Sequence, residues 1–265
     1  MKPDAEQAQK YLSSVANDSN NFATYSPAYT VTNEDLRYAM HFMPEHTENA
    51  LVVAASGDHP IFTKLNGAKN IDAFDISYNA KCMMDIKTAA LQLLDYEEYK
   101  KLLNDLWCAV DVSRVKNMPK ILRVLPDKET KYMNNMRGFL LFNHGYGTYT
   151  KYMITEAEFN QARQNIKTPF NFIWSDIMSL HHSLNKKYDF IHLSNIFDSL
   201  DMDNRVFVMV NMMRYINPDG VMCFRTYRDV PNVLYGQNDG INGRTQWIVE
   251  NLKDKSLLRV LHRAR

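Results

Sequence analysis

The sequence predicts a doubly wound α/β fold, and three observations predict it. An apolar run at 51–55 ends in the turn Ser56-Gly57-Asp58, and a second run at 71–74 delivers an acid, Asp75, at its carboxyl end. Further buried-strand runs at 171–174, 188–193 and 221–224 alternate with segments of helical periodicity. Strand, glycine turn, short helix, strand and terminal acid make the nucleotide half-site of such a fold, with the acid placed to accept ribose hydroxyls.

The 265 residues can bury one full-sized core. Residues 1–48 read as an N-terminal helical extension. A helix over 4–15 is broken by the Asn/Asp/Ser-rich stretch 17–21. Thr32-Asn33-Glu34-Asp35 then opens a helix over 35–42 with acids in its first turn, and Pro44 ends it. The α/β domain occupies 49–265. The helix after the first strand is short, 60–65, because Asn66-Gly67 stops it. Helix 79–93 carries Ala80, Met83, Met84, Ile86, Ala90 and Leu91 in a largely apolar sector that packs on the sheet, and a polar helix follows at 96–106. Residues 107–168 break the strand–helix alternation and read as a helical cap or insertion, with an aromatic run at 139–149. Strands at 171–174 and 188–193, a helix at 203–215, the turn Asn217-Pro218-Asp219-Gly220, and strands at 221–224 and 256–261 complete the domain.

Composition narrows the partners. With 31 basic and 30 acidic side chains there is no charge excess to hold nucleic acid or a membrane surface. No run reaches the ~18 apolar residues a membrane helix needs, and the polar start MKPDAEQAQK lacks a secretory apolar core, so a cytoplasmic protein is expected. Cys82, Cys108 and Cys223 are far apart and lack metal-ligand spacing, which argues against a zinc site and a disulfide framework.

In an open α/β sheet ligands bind outside the carboxyl ends of the strands. The residues there are Ser56, Gly57, Asp58 and His59; Asp75 and Ile76; Asp176 and Ile177; Ser194 and Asn195; and Arg225. Asp75 can take both ribose hydroxyls, or cap the helix that follows. One glycine makes a poor pyrophosphate nest, so a nucleoside with a small charged tail fits better than a dinucleotide, and S-adenosylmethionine (AdoMet) is such a molecule. Asp58 can meet its α-amino group or cap a helix. Asp176 can accept from the adenine amine or cap a helix in its turn. Arg225 offers a bidentate fork to an acceptor carboxylate or phosphate.

Several motifs together resemble a known family. Tyr25-Ser26, VAASGD at 53–58, FDIS at 74–77, MDIKTAAL at 84–91, HLSNIFDSL at 192–200 and NPDGVMCFRTY at 217–227 are similar to the AdoMet-dependent 3-amino-3-carboxypropyl transferases, whose best-known members act on diacylglycerol in betaine-lipid synthesis. The resemblance implies a Rossmann-like class I AdoMet-methyltransferase fold. It also implies that Ser56, Gly57 and Asp58 hold the amino-acid tail, Asp75 and Ile76 the ribose side, Asp176 and Ile177 the adenine side, and Ser194 and Asn195 the reaction side. Pro27-Ala28-Tyr29-Thr30 departs from the family's pattern after Tyr-Ser, so the expected acceptor is a small or lipid-like molecule of unspecified kind. Candidate acceptor-deprotonating groups are Asp58, His59, Tyr25 and His144, and Tyr146 joins Arg225 as an acceptor-binding candidate. A methyltransferase, or a non-catalytic nucleotide-binding domain, uses the same half-site. Oligomeric state is left open.

Overall fold

The computed structural model describes residues 29–108, 115–135, 152–226, 236–238, 245–251 and 258–260. Side-chain alternation decides its layers. In β1 (Asn49–Val53), Ala50 and Val52 face one apolar core and Leu51 and Val53 the other, the period of two that a strand imposes. The same alternation holds in β2 (Asn70–Asp75), β4 (Tyr188–His192) and β5 (Ile216–Thr226): Ala73, Phe190 and Cys223 on the first face, Phe74, Ile191 and Met222 on the second. Together with β3 (Asn171–Trp174) they form a parallel sheet in the order β3-β2-β1-β4-β5.

Beyond β5 the sheet continues antiparallel. β7 (Thr245–Asn251) pairs with β5, and β6 (Gly236–Asn238) and β8 (Leu258–Val260) both pair with β7. The expected strand at 256–261 is thus shorter than its apolar run.

Helices cover both faces. On the first lie α1 (Leu36–Met40), α2 (Asp58–Leu65), α3 (Tyr78–Leu93), α4 (Tyr96–Cys108), α5 (Met118–Leu122), α6 (Asp127–Asn135) and α7 (Glu156–Asn165). On the second lie α8 (Met202–Met213) and two 3₁₀ turns, Leu180–His182 and Ile196–Ser199. Asp35 caps α1, accepting from the Tyr38 amide. Thr155 and Glu158 form a reciprocal capping box on α7.

Two local expectations change. α2 starts at Asp58 because Gly57, at φ 81°, serves as its N-cap in a left-handed conformation. A Cβ on Gly57 would also lie 2.8 Å from Met84 Cα, so the glycine lets the turn pack against α3. The Asn217–Gly220 turn lies inside β5 as a bulge: Ile216 pairs with Tyr188 and Val221 with Phe190, so five steps on β5 oppose two on β4. The helix expected at 4–15 lies outside the described residues. Within 107–168 the described segments α5, α6 and α7 are helical. Among the described residues no helix is long and apolar enough to cross a membrane.

Candidate functional site

β1 and β4 are neighbours, yet the chain leaves β1 toward β2 on one side and β4 toward β5 on the other. This reversal opens a crevice at the strands' carboxyl ends, where open α/β sheets bind ligands. A cavity of about 350 Å³ lies there, lined by residues that include Val53, Ala55, Asp75, Asp176, Ser194 and Leu200. Its size falls in the roughly 300–1,000 Å³ range of small-molecule sites. Ala55 (φ 44°) and Ser194 (φ 52°) hold the left-handed conformation that non-glycine residues avoid, and they sit at the ends of the two switch-point strands. Such strain persists where packing over-determines the backbone, commonly at ligand sites.

Asp75 closes β2 at the cavity wall. Its Oδ2 accepts from the Ala55 N–H at 2.9 Å and its Oδ1 from the Ser77 N–H at 2.9 Å. One contact orders the β1 turn and the other the start of α3, and each oxygen retains a lone pair for a ligand hydroxyl. Burial pushes the carboxyl up to about 6, against those two amides and the nearby His59. Asp176 turns its own backbone, its Oδ1 accepting from the Met178 N–H at 2.6 Å, which leaves Oδ2 for a donor. Ile177 and Met178 line the same end of the cavity. Six candidates therefore share one cavity: Asp75, Ile76, Asp176, Ile177, Ser194 and Asn195.

The Ser56-Gly57-Asp58 turn is elsewhere. None of the three lines the cavity, and the carboxylate of Asp58 is occupied by the protein itself. Its Oδ1 accepts from Lys87 Nζ at 2.5 Å, and its Oδ2 accepts from the Thr32 amide at 2.7 Å and from Ser56 Oγ at 2.8 Å. Lys87 is 0% and Asp58 3% exposed at the side chain. Burial lowers the Lys87 ammonium pKa although Asp58 pulls it back up. Asp58 thus fastens α3 and the incoming segment 30–35 to the β1 turn, leaving no free lone-pair direction for a base.

Beside the cavity lies a buried polar cluster. Glu34, on the segment before α1, accepts from Ser194 Oγ at 2.6 Å, and its other oxygen stands 3.6 Å from His59 Nε2. The ring of His59 stacks on that of His192, the last residue of β4, with centroids 5.2 Å apart. Arg225, near the end of β5, is 2% exposed and its amide donates to Ser194 O. Burial alone would raise the Glu34 carboxyl, but His59, His192 and Arg225 hold it down to about 2. Burial, followed by the charges of His59 and Arg225, lowers His192 to about 3, so its ring is neutral.

Of the remaining candidates, Tyr25, His144 and Tyr146 lie outside the described residues. Glu34, His192 and Lys87 were not among the sequence candidates. Lys87 had a readable signal: it falls on the Ala80–Met83–Met84–Leu91 stripe, where a charge needs a buried partner. His192 is a polar interruption of an apolar strand. Glu34 reads locally as a helix-opening acid. Among the described residues no group of three or more metal-ligating side chains is positioned for an ion, and Cys82 and Cys223 are buried thiols.

No family model and no curated protein matches the chain. Solved structures similar to it include the N-methyltransferase NodS from Bradyrhizobium japonicum, 12% identical over 77% of this chain and 78% of that one, with a TM-score of 0.38. The rRNA methyltransferase aviRa from Streptomyces viridochromogenes is 10% identical over 88% and 92%, at 0.48. An rRNA methylase from Streptococcus thermophilus is 10% identical over 83% and 98%, at 0.40. The strand order itself, five parallel strands continued by an antiparallel β7 between β5 and β6, is the Rossmann-like class I methyltransferase fold.

Proposed function

We propose that the protein is an AdoMet-dependent transferase acting on a small or lipid-like acceptor. The observation that carries this reading is Asp75 at the end of β2, lone pairs open to the switch-point cavity, with Asp176, Ile177 and Met178 at the same cavity. Asp75 accepts the ribose hydroxyls. Asp176 Oδ2 accepts the adenine amine, with Ile177, Met178 and Leu200 against the ring. Ser194 and Asn195 flank the reacting carbon, and Tyr29 helps exclude water. The chemistry is displacement at a carbon beside a sulfonium, so catalysis is chiefly alignment of the acceptor. His59 is the candidate base in the described residues, because the carboxylate of Asp58 is occupied.

Two transferred groups fit this site. The motif resemblance supports the 3-amino-3-carboxypropyl group, with release of methylthioadenosine; the strand order, that of methyltransferases, supports a methyl group. Incubating the protein with AdoMet and a metabolite and lipid extract, beside an enzyme-free control, and reading products by mass spectrometry separates them. Methylthioadenosine above control supports the first and S-adenosylhomocysteine the second. Neither product, in a protein that binds S-adenosylhomocysteine, would make it a binding domain.

A further inference from the structure

We propose that the Glu34–His59–His192–Arg225 cluster is a recognition pocket for an α-amino-acid zwitterion, separate from the Ser-Gly-Asp turn and joined to the nucleoside cavity at Ser194. The proposal rests on the AdoMet reading for the identity of the neighbouring cavity. Glu34 Oε2 and both ring nitrogens of His59 and of His192 are buried without a hydrogen-bond partner. Side chains exposed by only 0–2% rarely leave five such atoms unsatisfied, because each forfeits its hydration. An apolar core would have no use for them, and a polar guest would satisfy them.

The charges define the guest. An anion, Glu34, and a cation, Arg225, share one buried space with two imidazoles. A simple cation would meet Arg225 and a simple anion would meet Glu34. A guest carrying both, its ammonium toward Glu34 and its carboxylate toward Arg225, is favoured at each end. The location agrees. Ser194 belongs to the cavity wall and to the cluster at once, donating to Glu34 Oε1 at 2.6 Å. A nucleoside seated with its ribose at Asp75 and its base toward Asp176 directs its 5′ substituent toward this junction. Asp58, the residue expected to take the amino group, is already occupied by Lys87, Ser56 and Thr32.

The zwitterion has two sources, the homocysteine end of the cofactor or a separate amino-acid acceptor, and calorimetry on the intact protein distinguishes them. S-adenosylhomocysteine and methylthioadenosine share the thionucleoside and differ in the amino-acid end. If the cofactor supplies the guest, S-adenosylhomocysteine binds the wild type about 10- to 100-fold more tightly, as loss of charge-assisted hydrogen bonds implies. Glu34→Gln, which preserves the Ser194 contact, then removes most of that advantage and leaves methylthioadenosine affinity unchanged. If a separate acceptor supplies it, the two nucleosides bind alike, and L-methionine binds the methylthioadenosine-loaded wild type but not E34Q. An advantage that survives E34Q overturns the proposal, as does equal nucleoside binding with no uptake of L-methionine. Failure of both nucleosides to bind would instead remove the AdoMet reading itself. If E34Q does not melt cooperatively, His59→Gln carries the same expectation.

Discussion

Replacing Lys87 by methionine keeps most of the side chain's apolar contacts and removes its charge. Lys87 and Asp58 are 0% and 3% exposed and 2.5 Å apart, so the variant leaves a carboxylate inside the core with only Ser56 and the Thr32 amide to hold it. Breaking a buried pair from one side costs about 3–5 kcal/mol, most of it the desolvation of the abandoned charge. At about 2–4 °C per kcal/mol for a chain of this size, the melting point should fall by roughly 6–20 °C. Urea denaturation at pH 7 of the wild type, K87M, D58N and the double variant gives the coupling directly. The double variant should be more stable than the sum of the single losses predicts, by about 2 kcal/mol. A K87M loss below about 1 kcal/mol, or strictly additive losses, would refute the buried-pair reasoning, since a hydrated pair is worth that little. D58N should also retain its affinity for S-adenosylhomocysteine within a few-fold, because Asp58 does not line the cavity.

Asp75→Asn should weaken S-adenosylhomocysteine binding about 10- to 100-fold through loss of two charge-assisted hydrogen bonds, and unchanged affinity would remove the ribose assignment. In the wild type that affinity should fall about tenfold per unit below pH 6, where Asp75 takes up a proton, and calorimetry from pH 7.5 to 5 measures it. Gly57→Ala combines a positive φ with a 2.8 Å approach to Met84 Cα and should cost about 2–4 kcal/mol in denaturant titration. The lowered pKa of His192, about 3 folded against 6.5 unfolded, means the unfolded chain binds the extra proton in that window. Its contribution to stability is lost as pH falls from 6.5 toward 3, with a slope of up to about 1.4 kcal/mol per unit. The raised Asp75 acts the opposite way below pH 6, so the informative quantity is the wild type minus His192→Gln difference in slope.

Much of this was legible in the chain. Strand alternation marked residues 51–55 and 188–193, helical periodicity marked 79–93, and the acids and serines ending the strands marked the cavity wall. These signals are local: they report which face of an element is buried and where the element stops. Strands β6 and β7 escaped notice because short antiparallel pairing along a sheet edge leaves a weak pattern. The Asn217–Gly220 run carried a strong turn signal, but a bulge uses the same backbone freedom.

The sequence by itself determined the sheet-forming segments, the helix that packs on them and the acid that closes β2. Only the tertiary structure decided what each polar group would do. Asp58 sits in a favourable position for a ligand, yet Lys87, 29 residues away, and the Thr32 amide, 26 residues away, occupy it. Glu34 reads locally as a helix-opening acid, yet it reaches Ser194 across 160 residues and brings a buried carboxylate to the edge of the cavity. The reason is physical: periodicity sets burial one element at a time, whereas the partner of a buried charge is set by which distant segments close over it.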